Sequence, residues 1–336
     1  MSKTVGIPRT LAYFTFFPMW KAFFEELGIE VVLSRQTDKR ILEMGIKDSV
    51  TDACLPIKLF HGHVAALKDR VDYLFIPRLV SADGRSTFCP KFLGLPEMVR
   101  FSVPDLPPLI DVRYNIRKGR VFSSFTFFKQ VGEHLGYNFQ QISKGYLKAR
   151  RALRHYQDLQ CAGMMPEEAM KALTSSRLSP SAPAETDNET DDHEALRIAV
   201  LGYPYAVFDP FVNADLLNIL RTAGTKVLTV EMVSDRNIRK MSRELKEDLY
   251  WYYSNRAVWA GLHYLSDGEP LDGIIHVTAF ACGPDAMVDK LLELESRDRG
   301  RVPYLNITID EHAGDVGVVT RIEAFLDMLK IRKGLT

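Results

Sequence analysis

A strand, a Gly-x-Pro turn, a helix, a glycine and a second strand follow one another twice in this chain, and that repeat constrains the fold more than any other feature. In the first copy Thr4 to Pro8 reads as a short strand ending in Gly6-Ile7-Pro8. Phe14 to Leu27 then carries apolar residues at helical spacing, Gly28 caps the helix, and Glu30 to Ser34 is the next strand. In the second copy Arg197 to Leu201 is a strand, Gly202-Tyr203-Pro204 repeats the turn, Phe211 to Arg221 is a helix, and Gly224 closes it before strand Lys226 to Val230. Gly6 and Gly28 stand 22 residues apart, as do Gly202 and Gly224. Asp72 precedes a strand leading to Cys89, and Asp272 precedes one leading to Cys282; counting back 18 residues from each aspartate reaches Cys54 and Ser254. Short apolar strands alternating with longer helices argue for two related α/β domains, each with a parallel sheet covered by helices on both faces.

Between the copies the first domain continues. Thr37 to Met44 suggests a helix closed by Gly45, Cys54 to Leu67 another with Pro56 in its first turn, and Tyr73 to Ile76 a buried strand ended by Pro77. From Tyr114 the pattern turns helical, with Ser124 to Leu135, Gln140 to Cys161 and Pro166 to Leu173. The stretch from Thr174 on is rich in Ser, Pro and acidic residues and too poor in apolar ones to fold alone. The expected organisation is a first α/β domain over 1–113, a helical insert over 114–173, a flexible linker over 174–195 and a second α/β domain over 196–336. Two such domains facing each other would set the C-terminal ends of their strands around a shared crevice, where open α/β sheets bind ligands.

Charge and hydropathy narrow the function. Lys plus Arg number 43, as do Asp plus Glu, so no basic excess points to nucleic acid. The longest apolar runs, such as Val71 to Pro77 and Gly273 to Ala279, are far shorter than the roughly 18 residues of a membrane span. Met1 to Gly6 runs straight into a strand without the regions of a signal peptide, which leads to the expectation of a cytoplasmic protein. Thiols stay reduced there, so the four cysteines suit metal binding, catalysis or core filling better than disulfides.

Three of the four share a setting. Cys54 lies in Asp52-Ala53-Cys54-Leu55-Pro56, Cys89 in Phe88-Cys89-Pro90, and Cys282 in Phe280-Ala281-Cys282-Gly283-Pro284-Asp285, each followed within two residues by proline. Turn cysteines of this kind hold iron–sulfur clusters. Cys161, inside a helical pattern, reads as a small buried hydrophobe outside the site. A competing reading is zinc on three cysteines with His61 or His63, of which His61 shares the helix face of Cys54. Lys58, one turn after Cys54, would add positive charge there, although a solvated lysine accounts for it as well. Asp310-Glu311-His312 follows strand Tyr304 to Ile307, and its carboxylates and imidazole suit either acid–base work or the start of helix Thr320 to Leu329; Lys58, His61, Glu311 and His312 are thus the candidate catalytic groups. Neither a phosphate-binding G-x-x-x-x-G-K-[ST] nor a G-x-S-x-G is present. A metal-free protein holding a small anionic ligand is the third alternative.

Taken together, Gly6-Ile7-Pro8-Arg9, Phe17-Pro18-Met19-Trp20, Cys54-Leu55-Pro56-Ile57-Lys58, His61-Gly62-His63, Ile76-Pro77-Arg78, Cys89-Pro90, the Cys282 motif, Ile309-Asp310-Glu311-His312 and Thr320-Arg321-Ile322-Glu323-Ala324-Phe325 resemble the 2-hydroxyacyl-CoA dehydratase type of iron–sulfur protein, and especially its activase-related branch. The resemblance covers most of the chain. It implies two flavodoxin/Rossmann-like domains and a [4Fe–4S] cluster held between them by Cys54, Cys89 and Cys282 with one iron open. It further implies a separate ATP-hydrolysing activase as electron donor. In dehydratases of this type the open iron receives the carbonyl of a 2-hydroxyacyl-CoA, and one electron permits loss of water through a ketyl radical. Relatives instead join two clusters through a sulfide and reduce other small molecules. The expectation is a homo- or heterodimeric chain with a single or doubled cluster, acting in electron transfer or as a reductive radical lyase, or else serving as a non-catalytic cluster- or zinc-bearing partner subunit.

Overall fold

The computed structural model describes residues 3–116, 123–174, 195–244, 248–266, 270–299, 302–311 and 315–335. Contacts divide the chain into two compact units, Met1–Tyr156 with Leu249–Tyr253, and Gln157–Asp248 with Ser254–Thr336. The expected linker falls almost wholly on 175–194, outside the described residues.

The first unit runs β1 (Thr4–Ile7), α1 (Tyr13–Glu26), β2 (Glu30–Leu33), α2 (Lys39–Asp48), α3 (Leu55–Ala65), β3 (Tyr73–Phe75), β4 (Arg78–Ser81), α4 (Pro90–Leu93), α5 (Leu95–Ser102), β5 (Leu109–Ile110), β6 (Arg113–Asn115) and α6 (Ser123–His134), and its border falls inside α7 (Phe139–Cys161). Its main sheet has the order β2-β1-β3-β5, every pair parallel. Aromatic residues fill the space over this sheet. Trp20 and Phe24 of α1 each place a ring 5.1 Å from Phe75, and Phe23 lies 4.7 Å from Phe128 of α6. The hydroxyl of Tyr156 donates to the Phe14 carbonyl at 2.6 Å, pinning α7 to the start of α1.

The second unit holds the rest of α7, then α8 (Pro166–Thr174), β7 (Arg197–Gly202), α9 (Pro204–Val207), α10 (Leu216–Thr222), β8 (Lys226–Thr229), α11 (Asp235–Met241), most of α12 (Tyr252–Ser266), β9 (Gly273–Ala279), α13 (Gly283–Arg299), β10 (Tyr304–Ile309) and α14 (Asp315–Lys333). Its sheet order is β10-β9-β7-β8, again all parallel. Every residue of β9 is buried, as expected of a central strand covered on both faces.

Counted among its own strands, each four-stranded sheet runs second, first, third, fourth, the doubly wound order of flavodoxin-like folds. The aspartates that marked the repeat have matching jobs. Asp72 accepts from the Thr4 amide at 2.7 Å, and Asp272 from the Arg197 amide at 2.7 Å, so each carboxylate fastens the first strand of its own sheet. The glycines correspond only in part. Gly28 and Gly224 both take left-handed φ, +73° and +70°, where a helix ends ahead of a strand. Gly6 and Gly202 are not counterparts: Gly6 pairs with Leu74 in the body of β1, whereas Gly202 ends β7.

Two local expectations, at Gly45 and Phe211, are corrected, and one, at Pro77, is refined. Gly45 does not close its helix; α2 runs to Asp48 because Gly45 is where α3 crosses it. A Cβ on Gly45 would sit 1.8 Å from the Lys58 carbonyl, and one on Gly62 would sit 1.9 Å from the Ile41 carbonyl, so the two backbones touch through paired glycines. Pro77 does end β3, as expected, but pairing resumes directly beyond it in a separate two-stranded sheet. The Ile76 amide donates to Ile110 and the Arg78 amide to Val112, so pairing continues into β4 and β6 around the one residue that lacks an N–H. The helix expected from Phe211 begins only at Leu216, because Ala214 and Asp215 turn the backbone through positive φ.

Candidate functional site

Each of the three proline-flanked cysteines sits at a helix start. Cys54 is extended at φ −66°, ψ 151°, and Cys89 is nearly identical at φ −62°, ψ 155°. A residue ahead of a proline avoids the helical region, as Cys89 does before Pro90, and proline fits a first turn, where both Pro56 and Pro90 stand, so each thiol lies at a helix mouth. The Cys54 carbonyl accepts from the amides of Ile57 and Lys58, that of Cys89 from Phe92, and that of Cys282 from Ala286, the opening bonds of α3, α4 and α13. Ala281, at φ +61°, makes the sharp bend that turns Cys282 from the end of β9 into α13. Helix starts present unpaired N–H groups and favour negative charge, which suits a thiolate.

Within the first unit, Cys54 stands near enough to Cys89 to act on its thiol. Burial pushes the Cys89 thiol up, the backbone amides of Phe92 and Lys91 pull it back, and the neighbouring Cys54 adds to the upward push. Cys54 is buried, and Cys89 and Cys282 are half-buried. Cys161 is exposed at the end of α7 rather than buried as expected, with its thiol 3.8 Å from the Glu231 carbonyl. Among the described residues no group of three or more His, Cys, Asp or Glu side chains is gathered to hold a metal ion.

The other candidates differ from one another. Lys58 is buried, not solvated, because α2 lies against that turn of α3. His61 donates its Nδ1–H to the Ile57 carbonyl at 2.8 Å, and burial lowers its basicity. His63 is fully buried with Nε2 3.1 Å from the Thr37 hydroxyl, and burial, with Arg9 next in strength, lowers it to about 3, so it is neutral at physiological pH. Glu311 is half-buried after β10, and His312 lies outside the described residues.

Beside α3 and α4 a small apolar pocket opens where β1 and β3 end. Pro8, Trp20, Phe60, Phe75, Pro77 and Phe92 are among its walls, and no charged residue lines it. It stands between the first and third strands, the switch point of this sheet order.

Two contributors escaped the sequence reading. Tyr252 and Tyr253 return to the first unit late in the chain, their rings 4.9 and 5.4 Å from that of Phe88 just before Cys89, and Thr87 and Trp251 form a parallel bridge there. No local signal marks such a distant pairing. In the second unit His276 Nε2 lies 3.1 Å from Asp285 Oδ1, both buried, which ties the first turn of α13 to β9 three residues after Cys282. A histidine inside the apolar run from Gly273 to Ala279, followed by an acid in the next helix, was the available clue.

Comparison with known proteins agrees with this architecture. Residues 4–233 match the family described as CoA enzyme activase uncharacterised domain, and residues 139–329 match that of 2-hydroxyglutaryl-CoA dehydratase, D-component. Each match spans more than half of the chain. The chain belongs to both families. A search among curated proteins gave no match. Among the described residues no helix is long and apolar enough to cross a membrane. Cys54 and Cys89 fall within the first match and Cys282 within the second.

Proposed function

We propose that this chain is an iron–sulfur protein of the 2-hydroxyacyl-CoA dehydratase type, with Cys54, Cys89 and Cys282 as the thiolate ligands of a [4Fe–4S] cluster that keeps one iron open. The observation that carries the reading is the placement of Cys54 and Cys89 at two proline-started helices of one unit, with Cys54 near enough to add to the upward push on the Cys89 thiol. The donor chemistry fits: soft thiolates at helix mouths, and neighbouring histidines turned to a backbone carbonyl or a threonine hydroxyl. When bound, such a cluster supplies a low-potential electron and a Lewis-acidic iron for a thioester carbonyl. The residues of the chain hold, orient and shield. The helix starts offer amides toward the sulfurs, the switch-point pocket keeps water away with aromatic walls, and His276–Asp285 fixes the turn that presents Cys282. An ATP-hydrolysing activase is the electron donor, the work is radical dehydration or low-potential electron transfer, and a reducing compartment such as the cytoplasm is its setting.

Purification without oxygen, followed by iron, sulfide and zinc analysis with visible and electron paramagnetic resonance spectra, tests this. Equal iron and sulfide, lost in Cys54→Ala, Cys89→Ala and Cys282→Ala but kept in Cys161→Ala, is the expected result. A colourless protein carrying stoichiometric zinc, or clusters that survive all three substitutions, would overturn it.

A further inference from the structure

Strand β9 is buried along its whole length, yet it carries a histidine and a threonine. His276 and Thr278 stand two residues apart, so their side chains share one face of the strand. That face looks toward α13. His276 Nε2 lies 3.1 Å from Asp285 Oδ1 in the first turn of that helix, and from the neighbouring β10 the Tyr304 hydroxyl donates to Asp289 Oδ1 at 2.8 Å.

Each of the two side chains keeps one polar atom in reserve. His276 is 0% exposed and Thr278 4%, and neither His276 Nδ1 nor Thr278 Oγ1 has a hydrogen-bond partner among the described residues. Buried polar atoms are paired in folded proteins, and an internal water is the usual partner where side chains and backbone do not serve. The bond at Nε2 decides what Nδ1 requires. A carboxylate accepts, so Nε2 carries the ring proton, and Nδ1 of the neutral ring is an acceptor in need of a donor. The Thr278 hydroxyl is donor and acceptor alike.

Neighbours across the sheet do not supply the partner. Leu201, paired with His276 on β7, is apolar. On β10, Asn306 is paired with His276 and Thr308 with Thr278, but the Thr308 hydroxyl donates to Asn306 Oδ1 at 3.0 Å. Asn306 is half-buried and Thr308 exposed, so this polar face runs from the sealed His276 out to solvent at the edge strand. Burial of both β9 side chains suits an occupant of the size of water, which needs two or more polar partners.

We propose that His276 Nδ1 and Thr278 Oγ1 together bind one internal water, and that this water sets the tautomer through which Asp285 holds the first turn of α13. The water donates to Nδ1 and hydrogen-bonds the threonine hydroxyl. The chain Thr278–water–His276–Asp285 then steadies the helix start at Cys282, whose carbonyl accepts from the Ala286 amide at 3.0 Å in the same turn. Thr278 and His276 are positioning residues in this arrangement. No part of it needs a bound cluster, so it stands or falls apart from the cysteine assignment.

A crystal structure of the full chain, with ¹⁵N-histidine spectra of the same protein, tests the water site in the parent, Thr278→Val, Thr278→Ser and Thr308→Val. The parent should show an ordered water about 2.7–3.2 Å from both atoms, with His276 in the Nε2–H form and its Nδ1 hydrogen-bonded. Thr278→Val removes the hydroxyl and keeps the branched shape. The water should leave, the Nδ1 resonance should move to that of an unbonded ring nitrogen, and amide exchange at Ala286 should run several times faster while the amides of β7 keep the parent rate. Thr278→Ser should restore all three, and Thr308→Val, at the exposed end of the same face, should match the parent. The parent and Thr278→Ser decide the water site even if Thr278→Val does not fold. An Nδ1–H ring, a parent without that water, or one Nδ1 signal shared by the parent and Thr278→Val would overturn the site, and unchanged exchange at Ala286 in Thr278→Val would overturn its hold on α13.

Discussion

His63 shows how far burial sets the chemistry of a single side chain in this protein. Its folded value is lowered from 6.5 to about 3, first by burial and then by Arg9, and only Asp38 opposes the arginines. Unfolded, the same imidazole would take up a proton near pH 6.5. The folded state therefore holds a stabilising advantage above pH 6.5 that is lost as pH falls toward 3. Over that window the loss runs at up to about 1.4 kcal/mol per pH unit. The His63→Gln variant keeps a polar group near Thr37 but cannot titrate, so its urea midpoint should change less between pH 7 and pH 5 than that of the parent. Equal slopes in the two proteins would mean that the ring is already solvated or paired in the folded state.

Among the elements, the α2–α3 pair decides where Cys54 stands, because α3 begins at that cysteine and Gly45 and Gly62 let the two backbones touch. Gly45→Ala and Gly62→Ala force a Cβ into a carbonyl, and each should cost about 2–3 kcal/mol in urea unfolding, as overpacked sites do. Gly28→Ala is the contrasting case: space is open around it, and only the left-handed φ of +73° resists, so about 1–2 kcal/mol is expected. A loss at Gly45 no larger than at Gly28 would show that the helices can part without strain. The sequence carries these elements unevenly. Gly28 and Gly224 were legible because a helix that ends in left-handed backbone wants glycine whatever surrounds it. Gly45 was misread as a stop because a glycine inside a helical pattern looks the same whether it ends the helix or admits a neighbour. Gly6 and Gly202 shared a spacing without sharing a register, since counting along the chain does not see which residue faces which across a sheet. The proline after Cys54 was legible as a helix start, because that preference is local; the short helix that opens at Pro90 was not read from the sequence. The burial of Lys58 was not, because α2 provides it.

At the scale of the whole molecule, each unit carries its own sheet in the same strand order, yet neither is a continuous length of chain. Leu249–Tyr253 belongs with the first unit although the surrounding sequence builds the second. That return matters for Cys89. The Thr87 amide donates to the Tyr250 carbonyl and the Tyr252 amide donates to the Thr87 carbonyl, while the Tyr252 ring lies tilted and the Tyr253 ring edge-on against Phe88, and Phe92 lies 6.0 Å from Tyr253. The burial that pushes the Cys89 thiol up thus depends in part on rings supplied more than a hundred residues later. Removing both, in the Tyr252→Ala/Tyr253→Ala variant of the full chain, should open access to Cys89 and lower its thiol toward the ordinary range. Both effects speed alkylation, and each unit of lowering gives about tenfold more thiolate near neutral pH. A short pulse of N-ethylmaleimide at pH 7, read cysteine by cysteine with peptide mass spectrometry, should show Cys89 reacting several times faster while Cys54, at the head of α3, changes little. Tyr250→Ala removes an exposed ring and should leave Cys89 at the parent rate. If Cys89 keeps its parent rate in the double variant, the first unit supports that helix start by itself; if Cys54 accelerates equally, the segment holds the whole unit together rather than the one thiol.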